Sequence, residues 1–120
     1  MKSFRDLKVW EKSHHFALRV YRQSKSFPRE ENYGLTSQIR RAAVSVPSNL
    51  EEGCGHGGDG ELGRYCGIAM GSACEVGYQL LLAKDLGNID DTNYDQMNRD
   101  LNEIQRMLNG LIKTIRNSNT

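Results

Sequence analysis

Apolar residues recur every three or four positions along four stretches of this chain, which is the spacing of one face of an α-helix. In the third stretch the steps alternate strictly between four and three. Its members are Leu62, Cys66, Ala69, Ala73, Val76, Leu80 and Ala83. The fourth stretch follows the same rule from Met97 to Ile115. A repeat of about 3.5 residues is typical of helices that pack in left-handed bundles.

Start and stop signals place helices at about residues 6–26, 34–52, 60–86 and 91–117. Four aspartates stand where a carboxylate can accept from the free N–H groups of a helix start: Asp6, Asp59, Asp90 and Asp91. Gly53 stands where the second helix would end in a left-handed residue. The pattern predicts an all-α protein, a single left-handed, antiparallel up-down-up-down four-helix bundle over residues 1–120.

A polar stripe along the second helix surrounds a proline. Pro47 has no N–H and crowds the carbonyl of the preceding turn, so packing must hold the helix there. Two interpretations of the stripe stay open. Arg40 and Arg41 could contact phosphates, or the polar side chains form a buried hydrogen-bonded network that fixes the packing register. The network would comprise Gln38, Arg41, Ser45, Pro47, Asn49, Glu52, Ser72 and Glu75.

Charge is unevenly distributed along the chain, although the net charge is only +1. Residues 1–29 hold eight cations against two anions, a net +6, which leaves −5 for the rest. A basic first helix can attract nucleic acid. The candidate contacts are Lys8, Lys12, Arg19, Arg22 and Arg40. The alternative is a solvated face whose cations pair with acids of another element, such as Asp90, Asp91 or Asp95.

Little in the sequence points to reactive chemistry. The three cysteines, at spacings of 12 and 8, do not form a disulfide framework and indicate a reduced, cytoplasmic setting. The histidines and cysteines lack the spacing of a zinc or di-iron site, so we expect no metal and no other cofactor. The glycine-rich segment 53–60 lacks the Gly-Lys-Ser/Thr of a phosphate loop and predicts a mobile connection. We expect no enzymatic activity and no membrane span.

A long motif covers the second helix, from Gln38-Ile39-Arg40-Arg41-Ala42-Ala43-Val44-Ser45-Val46-Pro47-Ser48-Asn49-Leu50 to Glu52-Gly53. Shorter matches flank it, at Phe27-Pro28, Tyr33-Gly34-Leu35, Ile68-Ala69, Gly71-Ser72 and Leu86-Gly87. With these motifs the chain resembles the four helix bundle proteins also called 23S ribosomal RNA intervening sequence proteins. The resemblance implies a ring-shaped homo-oligomer, a homopentamer, without enzymatic activity. It extends to the accessory variability determinant proteins of diversity-generating retroelements, which are basic rings that bind nucleic acid and a reverse transcriptase.

Residues and resemblance together predict a non-enzymatic, ring-forming helical bundle that acts as an interaction module. Its partner would be structured RNA or DNA, such as rRNA, bound through the basic first helix. The alternative is a purely structural or protein-partner scaffold that binds no nucleic acid. The segment after Gly53 reads Cys-Gly-His-Gly-Gly-Asp-Gly, whereas basic residues are usual there in the family. This segment is therefore less suited to phosphate contacts than the first helix.

Overall fold

The protein folds into four long helices in a computed structural model that describes residues 4–118. They are α1 Lys8–Ser24, α2 Leu35–Gly55, α3 Asp59–Asp85 and α4 Asp91–Ser118. Short 3-10 turns at Phe4–Asp6 and Arg29–Glu31 precede α1 and α2. No β-strand occurs within the described range. The predicted all-α class is confirmed, while the predicted domain bounds at 1–3 and 119–120 lie outside the described residues.

Each helix packs against the next one along the chain, and α1 closes against α4. All four helices contribute side chains to one buried cluster. The predicted apolar stripes line this cluster, and its largest fully buried members include Ile39, Leu50, Leu62, Leu80, Met97, Leu101, Ile104 and Leu108. Each such side chain stabilises the fold by about 1.5–3 kcal/mol relative to exposure. This packing agrees with a helix bundle, and the order of helix directions and the left-handed twist stay predictions.

Gly53 allows a close approach between α2 and α3. A methyl group added there would lie 3.0 Å from both Leu62 Cδ1 and Tyr65 Cβ, and 3.2 Å from Leu62 Cα. The prediction that Gly53 ends α2 in a left-handed conformation is wrong, because α2 continues to Gly55. The left-handed residue of this connection is Gly57, with φ of 77°. Gly53 is thus required by tertiary contact rather than by backbone conformation.

The helix α3 ends at Asp85, one residue before the predicted end at about 86. Gly87 has φ of 81°, a left-handed value that favours glycine. Its N–H donates to the carbonyl of Lys84 at 2.9 Å, and the N–H of Asn88 donates to the carbonyl of Ala83 at 2.8 Å. This pair of bonds is a Schellman motif, which satisfies carbonyls that the helix leaves open.

Of the predicted aspartate caps, Asp90 is confirmed. Asp90 Oδ1 accepts from the N–H of Asn93 at 2.7 Å, at the start of α4. Asp6 instead lies in the turn before α1, whose cap position is Leu7. Asp59 is the first residue of α3, where its negative charge interacts favourably with the positive end of the helix dipole. Sequence signals located these starts to within two residues but did not identify every cap.

One of the described helices, α3, is long and apolar enough by length and composition to cross a membrane. Its most apolar 18-residue window has a mean hydropathy of 1.2, and 39% of that window is buried. Val76 and Leu80, which raise this value, are buried in the bundle core with 0% exposure. A helix that packs in the core of a bundle meets the same criteria of length and composition, because the side chains that it buries are apolar.

We predict that Gly53→Ala lowers the free energy of unfolding by about 1–3 kcal/mol, because the new methyl overpacks the contact with α3. Urea denaturation measures the change. Gly55→Ala is the matched control, since a methyl there meets nothing within 4 Å. Equal stability of the two variants would contradict the close approach of α2 and α3.

Candidate nucleic-acid and assembly surfaces

Two of the predicted nucleic-acid contacts on α1 form ion pairs with α4. Lys12 Nζ lies 3.2 Å from Glu103 Oε1, and Arg19 Nη1 lies 3.3 Å from Asp100 Oδ2. Arg19 Nη2 also donates to Gln96 Oε1 at 2.6 Å. Pairing of first-helix cations with acids of another element is the pattern that the alternative interpretation predicted, although its acids lie further along α4. A phosphate would have to compete with these carboxylates.

The remaining basic candidates on α1 are Lys8 and Arg22. Both are exposed, and neither forms an ion pair with any residue between 4 and 118. Lys2, which contributes to the net +6 of the first segment, lies outside the described residues. The cations of α1 that are open to a polyanion therefore form a smaller set than the sequence suggested.

The fifth candidate, Arg40, joins α2 to the last turns of α1. Its Nε donates to Ser24 Oγ at 2.7 Å and its Nη2 to the carbonyl of Tyr21 at 3.3 Å. The guanidinium carbon lies 4.8 Å from the centre of the Tyr21 ring. A cation at the carbonyl end of a helix is favourable. Since a guanidinium has five N–H donors, Arg40 keeps donors for a further acceptor.

Three members of the predicted polar network lie together between α2 and α3. Ser45 Oγ and Ser72 Oγ are 2.8 Å apart. Asn49 Nδ2 donates to Ser45 Oγ at 2.9 Å and to the carbonyl of Ser45 at 2.7 Å. All three side chains are half-buried. These bonds connect the turn of α2 that contains the buried Pro47 to the middle of α3.

The network does not extend to the other predicted members. Four of the predicted members are exposed on the single chain, so the prediction that they are buried there is wrong. They are Gln38, Arg41, Glu52 and Glu75. Helical geometry places them on the outer sides of α2 and α3, next to the residues through which the two helices contact each other. Glu75 Oε2 accepts from Gln79 Nε2 at 3.1 Å, and Glu52 lies 3.6 Å from His56 Nε2.

An apolar groove of about 280 Å³ runs along the outside of α1 and α2. We call it the α1–α2 groove; its lining residues are Trp10, His14, Ala17, Leu18, Val44, Pro47, Ser48 and Glu51. Leu18 and Val44 are exposed in it. The indole of Trp10 stacks on the imidazole of His14, with ring centres 5.1 Å apart. The groove leaves large apolar side chains in contact with solvent.

The outer side of α3 carries a second apolar surface. Ile68 is 42% exposed and Tyr78 is 64% exposed, and Leu81 is also open to solvent. Gly67 and Gly71 lie on the same helix, and a methyl on either would meet nothing within 4 Å. Each glycine costs a helix about 1 kcal/mol relative to alanine. Packing among the described residues does not explain why these positions lack a side chain.

The cysteines are free thiols in three different environments. Burial raises the pKa of the Cys66 thiol to about 11, so it stays protonated at neutral pH. Burial also raises the pKa of Cys54, whereas Cys74 is exposed and its sulfur lies 3.7 Å from Gln105 Nε2. Within residues 4–118, no three side chains of the metal-ligating types His, Cys, Asp or Glu come together.

A pocket that sequence reasoning identified only through Arg40 and Arg41 lies at the start of α2. A polar pocket of about 460 Å³ is lined there by Tyr21, Asn32, Thr36, Ser37, Arg40 and Arg41. The hydroxyl of Thr36 is itself buried and has no hydrogen-bond partner in the described structure. Nothing in the sequence spacing of Thr36 could show that residues of α1 and α2 lie around it.

These features define a class: an all-α four-helix protein with apolar surfaces on its outside and partly neutralised basic residues on its first helix. The chain belongs to the 23S rRNA-intervening sequence protein family, whose model matches residues 5–110. It is also similar to a solved structure of a protein with unknown function from the S23 ribosomal protein family of Bacteroides thetaiotaomicron. The TM-score is 0.81 at 28% identity, over 88% of this chain and 95% of that chain. The search of curated proteins gives no match.

Proposed function

We propose that this protein works without catalysis, as a self-assembling interaction module in which copies of the bundle form a closed ring. The observation that carries the proposal is the exposure of two separate apolar surfaces, the α1–α2 groove and the outer side of α3. Contiguous exposed apolar surface is uncommon on proteins that stay monomeric and marks interaction sites. The family resemblance supports a pentamer as the form of the ring.

Two different surfaces favour a ring over a two-fold dimer. A dimer with two-fold symmetry uses the same patch on both copies. A contact between unlike patches is head-to-tail, and it forms a ring when the rotation between copies closes and an open filament when it does not. The α1–α2 groove is concave and apolar, and the outer side of α3 offers side chains such as Ile68 and Tyr78. The exposed Gly67 and Gly71 would let a neighbouring copy approach the backbone of α3 closely.

The assembly is tested by the mass of the native particle in light scattering. We expect a particle of about five times the 13.6 kDa chain mass. Val44→Glu places a charge in the groove, and Gly71→Leu places bulk on the outer side of α3. Both variants should lower the particle mass without unfolding the chain, because Glu and Leu are good helix formers at exposed positions.

Tyr33→Glu is the control for these variants, because Tyr33 is 99% exposed and lies outside both surfaces. It should leave the particle mass unchanged. A wild-type protein that runs as a single chain at micromolar concentration would refute the proposed assembly. Full-size particles from both Val44→Glu and Gly71→Leu would refute the proposed contact surfaces.

RNA binding is a second candidate activity, favoured by the exposure of Lys8 and Arg22 on α1. The name of the family refers to 23S rRNA, which supports RNA as the nucleic acid to test. The ion pairs of Lys12 and Arg19 with α4 reduce the positive charge that α1 offers. For this reason we place RNA binding second to assembly.

Binding to a 23S rRNA fragment at two salt concentrations tests this candidate. Each phosphate contact adds about 0.7–0.9 to the slope of log affinity against log salt. Replacing Lys8 and Arg22 by glutamine should therefore reduce the slope, by about two if both contact phosphates. Arg64→Gln is the matched control, because Arg64 is paired with Glu61 on α3. Absence of salt-dependent binding at low ionic strength would eliminate the candidate.

A further inference from the structure

The outer side of α3 carries a stripe with the spacing of a second helix-packing face. The steps between its members alternate between four and three, as they do on the buried side of the same helix. Such a repeat keeps one side of a helix against a partner helix over several turns. We call it the α3 stripe; its members, all exposed on the single chain, are Gly67, Gly71, Cys74, Tyr78 and Leu81. The spacing indicates that a further helix packs along the outside of α3.

The α3 stripe has a direction, because its side chains grow larger along it. It begins with Gly67 and Gly71, and a methyl on either meets nothing within 4 Å. It ends with Tyr78, which is 64% exposed, and Leu81, which is 40% exposed. One further step of four leads to Asp85, the exposed last residue of α3, which forms no ion pair with the residues that the structure describes. The beginning of the α3 stripe is therefore a notch, and its end is bulky and acidic.

The α1 side of the α1–α2 groove also repeats at helical spacing. Trp10, His14, Ala17 and Tyr21 follow one another in steps of four, three and four. The first three line the groove, and Tyr21 is 42% exposed at the next step. Both surfaces of the proposed assembly are therefore built on helical stripes.

The two ends of the α1–α2 groove carry opposite charges. Arg40, near the start of α2, donates to the carbonyl of Tyr21 near the end of α1. Since α2 then runs back along α1, Glu51 lines the groove at the Trp10 end. Lys25 follows Tyr21 by one turn, is exposed and forms no ion pair within residues 4–118. Glu51 thus makes the Trp10 end negative, and Lys25 and Arg40 make the Tyr21 end positive.

We propose that α3 of one copy lies in the α1–α2 groove of the next copy and runs parallel to its α1. This geometry rests on the proposed ring, because it describes the contact between neighbouring copies. In the parallel direction the glycines of the α3 stripe meet the indole of Trp10, and the bulky end of the stripe lies further along, beyond Ala17. Asp85 then reaches the positive end of the groove, where Lys25 and Arg40 lie.

The antiparallel direction fits worse in both size and charge. It brings Tyr78 and Leu81 against Trp10, which crowds one end of the groove and leaves a gap at the other, whereas the core of an interface is packed as densely as a protein interior. It also places the Asp85 carboxylate next to Glu51, and like charges in contact oppose association. Size and charge are independent properties of these residues, and both select the parallel direction.

Disulfide cross-linking of the full chain tests the direction, in a background where Cys54 and Cys74 are replaced by serine. Leu81→Cys combined with Tyr21→Cys should link neighbouring chains under mild oxidation, because both positions lie at the same end of the contact. Leu81→Cys combined with Glu51→Cys is the matched control and should leave the chains unlinked. Cysteines form a disulfide only when their Cα atoms lie within about 7 Å, and the ends of the groove are about 16 Å apart. A denaturing gel without reductant shows the linked chains.

A charge reversal gives a second test that needs no added cysteine. Asp85→Lys should raise the concentration at which half of the particles dissociate by roughly twofold to tenfold, because it places a cation against Lys25 and Arg40. In the antiparallel direction the same variant would tighten the particle, since the new cation would lie next to Glu51. Asp95→Lys is the control, because Asp95 is an exposed acid of α4 that lines neither surface, and it should leave this concentration unchanged.

Linking through Leu81 and Glu51, or a particle that Asp85→Lys tightens or leaves unchanged, would overturn the parallel direction. Absence of linking in both pairs would overturn the position of α3 in the groove. In each case light scattering of the wild type still measures the particle mass, so the proposed ring can stand when this contact geometry fails. A wild-type particle of a single chain would instead refute the ring, and this contact with it.

Discussion

The close packing of α2 against α3 is the constraint on which the rest of the structure depends. This helix pair shares the largest contact in the bundle. At one end Gly53 admits Leu62 and Tyr65 to within a distance that any side chain would block. Further along, Ser45 and Ser72 form a hydrogen bond across the seam. A proline inside α2 is tolerated because tertiary contacts on both sides of the helix hold its shape.

The contacts of α1 differ from the close packing between α2 and α3. α1 has its smallest helix contact with α4, where Lys12 and Arg19 bond to exposed acidic and amide groups of α4. Exposed ion pairs of this kind contribute at most about 1 kcal/mol each. Arg40 connects α1 to α2, since it donates to Ser24 Oγ and to the carbonyl of Tyr21 near the end of α1. The same arrangement leaves an apolar groove on one side of α1 and a polar pocket at its end.

The sequence predicted the four helices because their buried faces repeat at 3.5 to 3.6 residues, a signal that depends only on local geometry. It failed where a residue's role depends on a distant helix. Gly53 looks like a helix terminator until Leu62 is placed beside it. Arg19 looks available for phosphate until Asp100, 81 positions away, is found next to it. The shape of the polar pocket at the start of α2 has no sequence signal, because residues of α1 and α2 form it jointly.

Native-state hydrogen exchange tests the central role of the α2–α3 pair most directly. Amides that open only on global unfolding belong to the most stable unit of a fold. The account predicts that the slowest amides lie in the middle of α2 and α3, within residues 39–50 and 69–80. It predicts faster exchange in α1, which would open before the α2–α3 seam does. Slowest exchange in α1 and α4, with the α2–α3 seam opening first, would contradict the account.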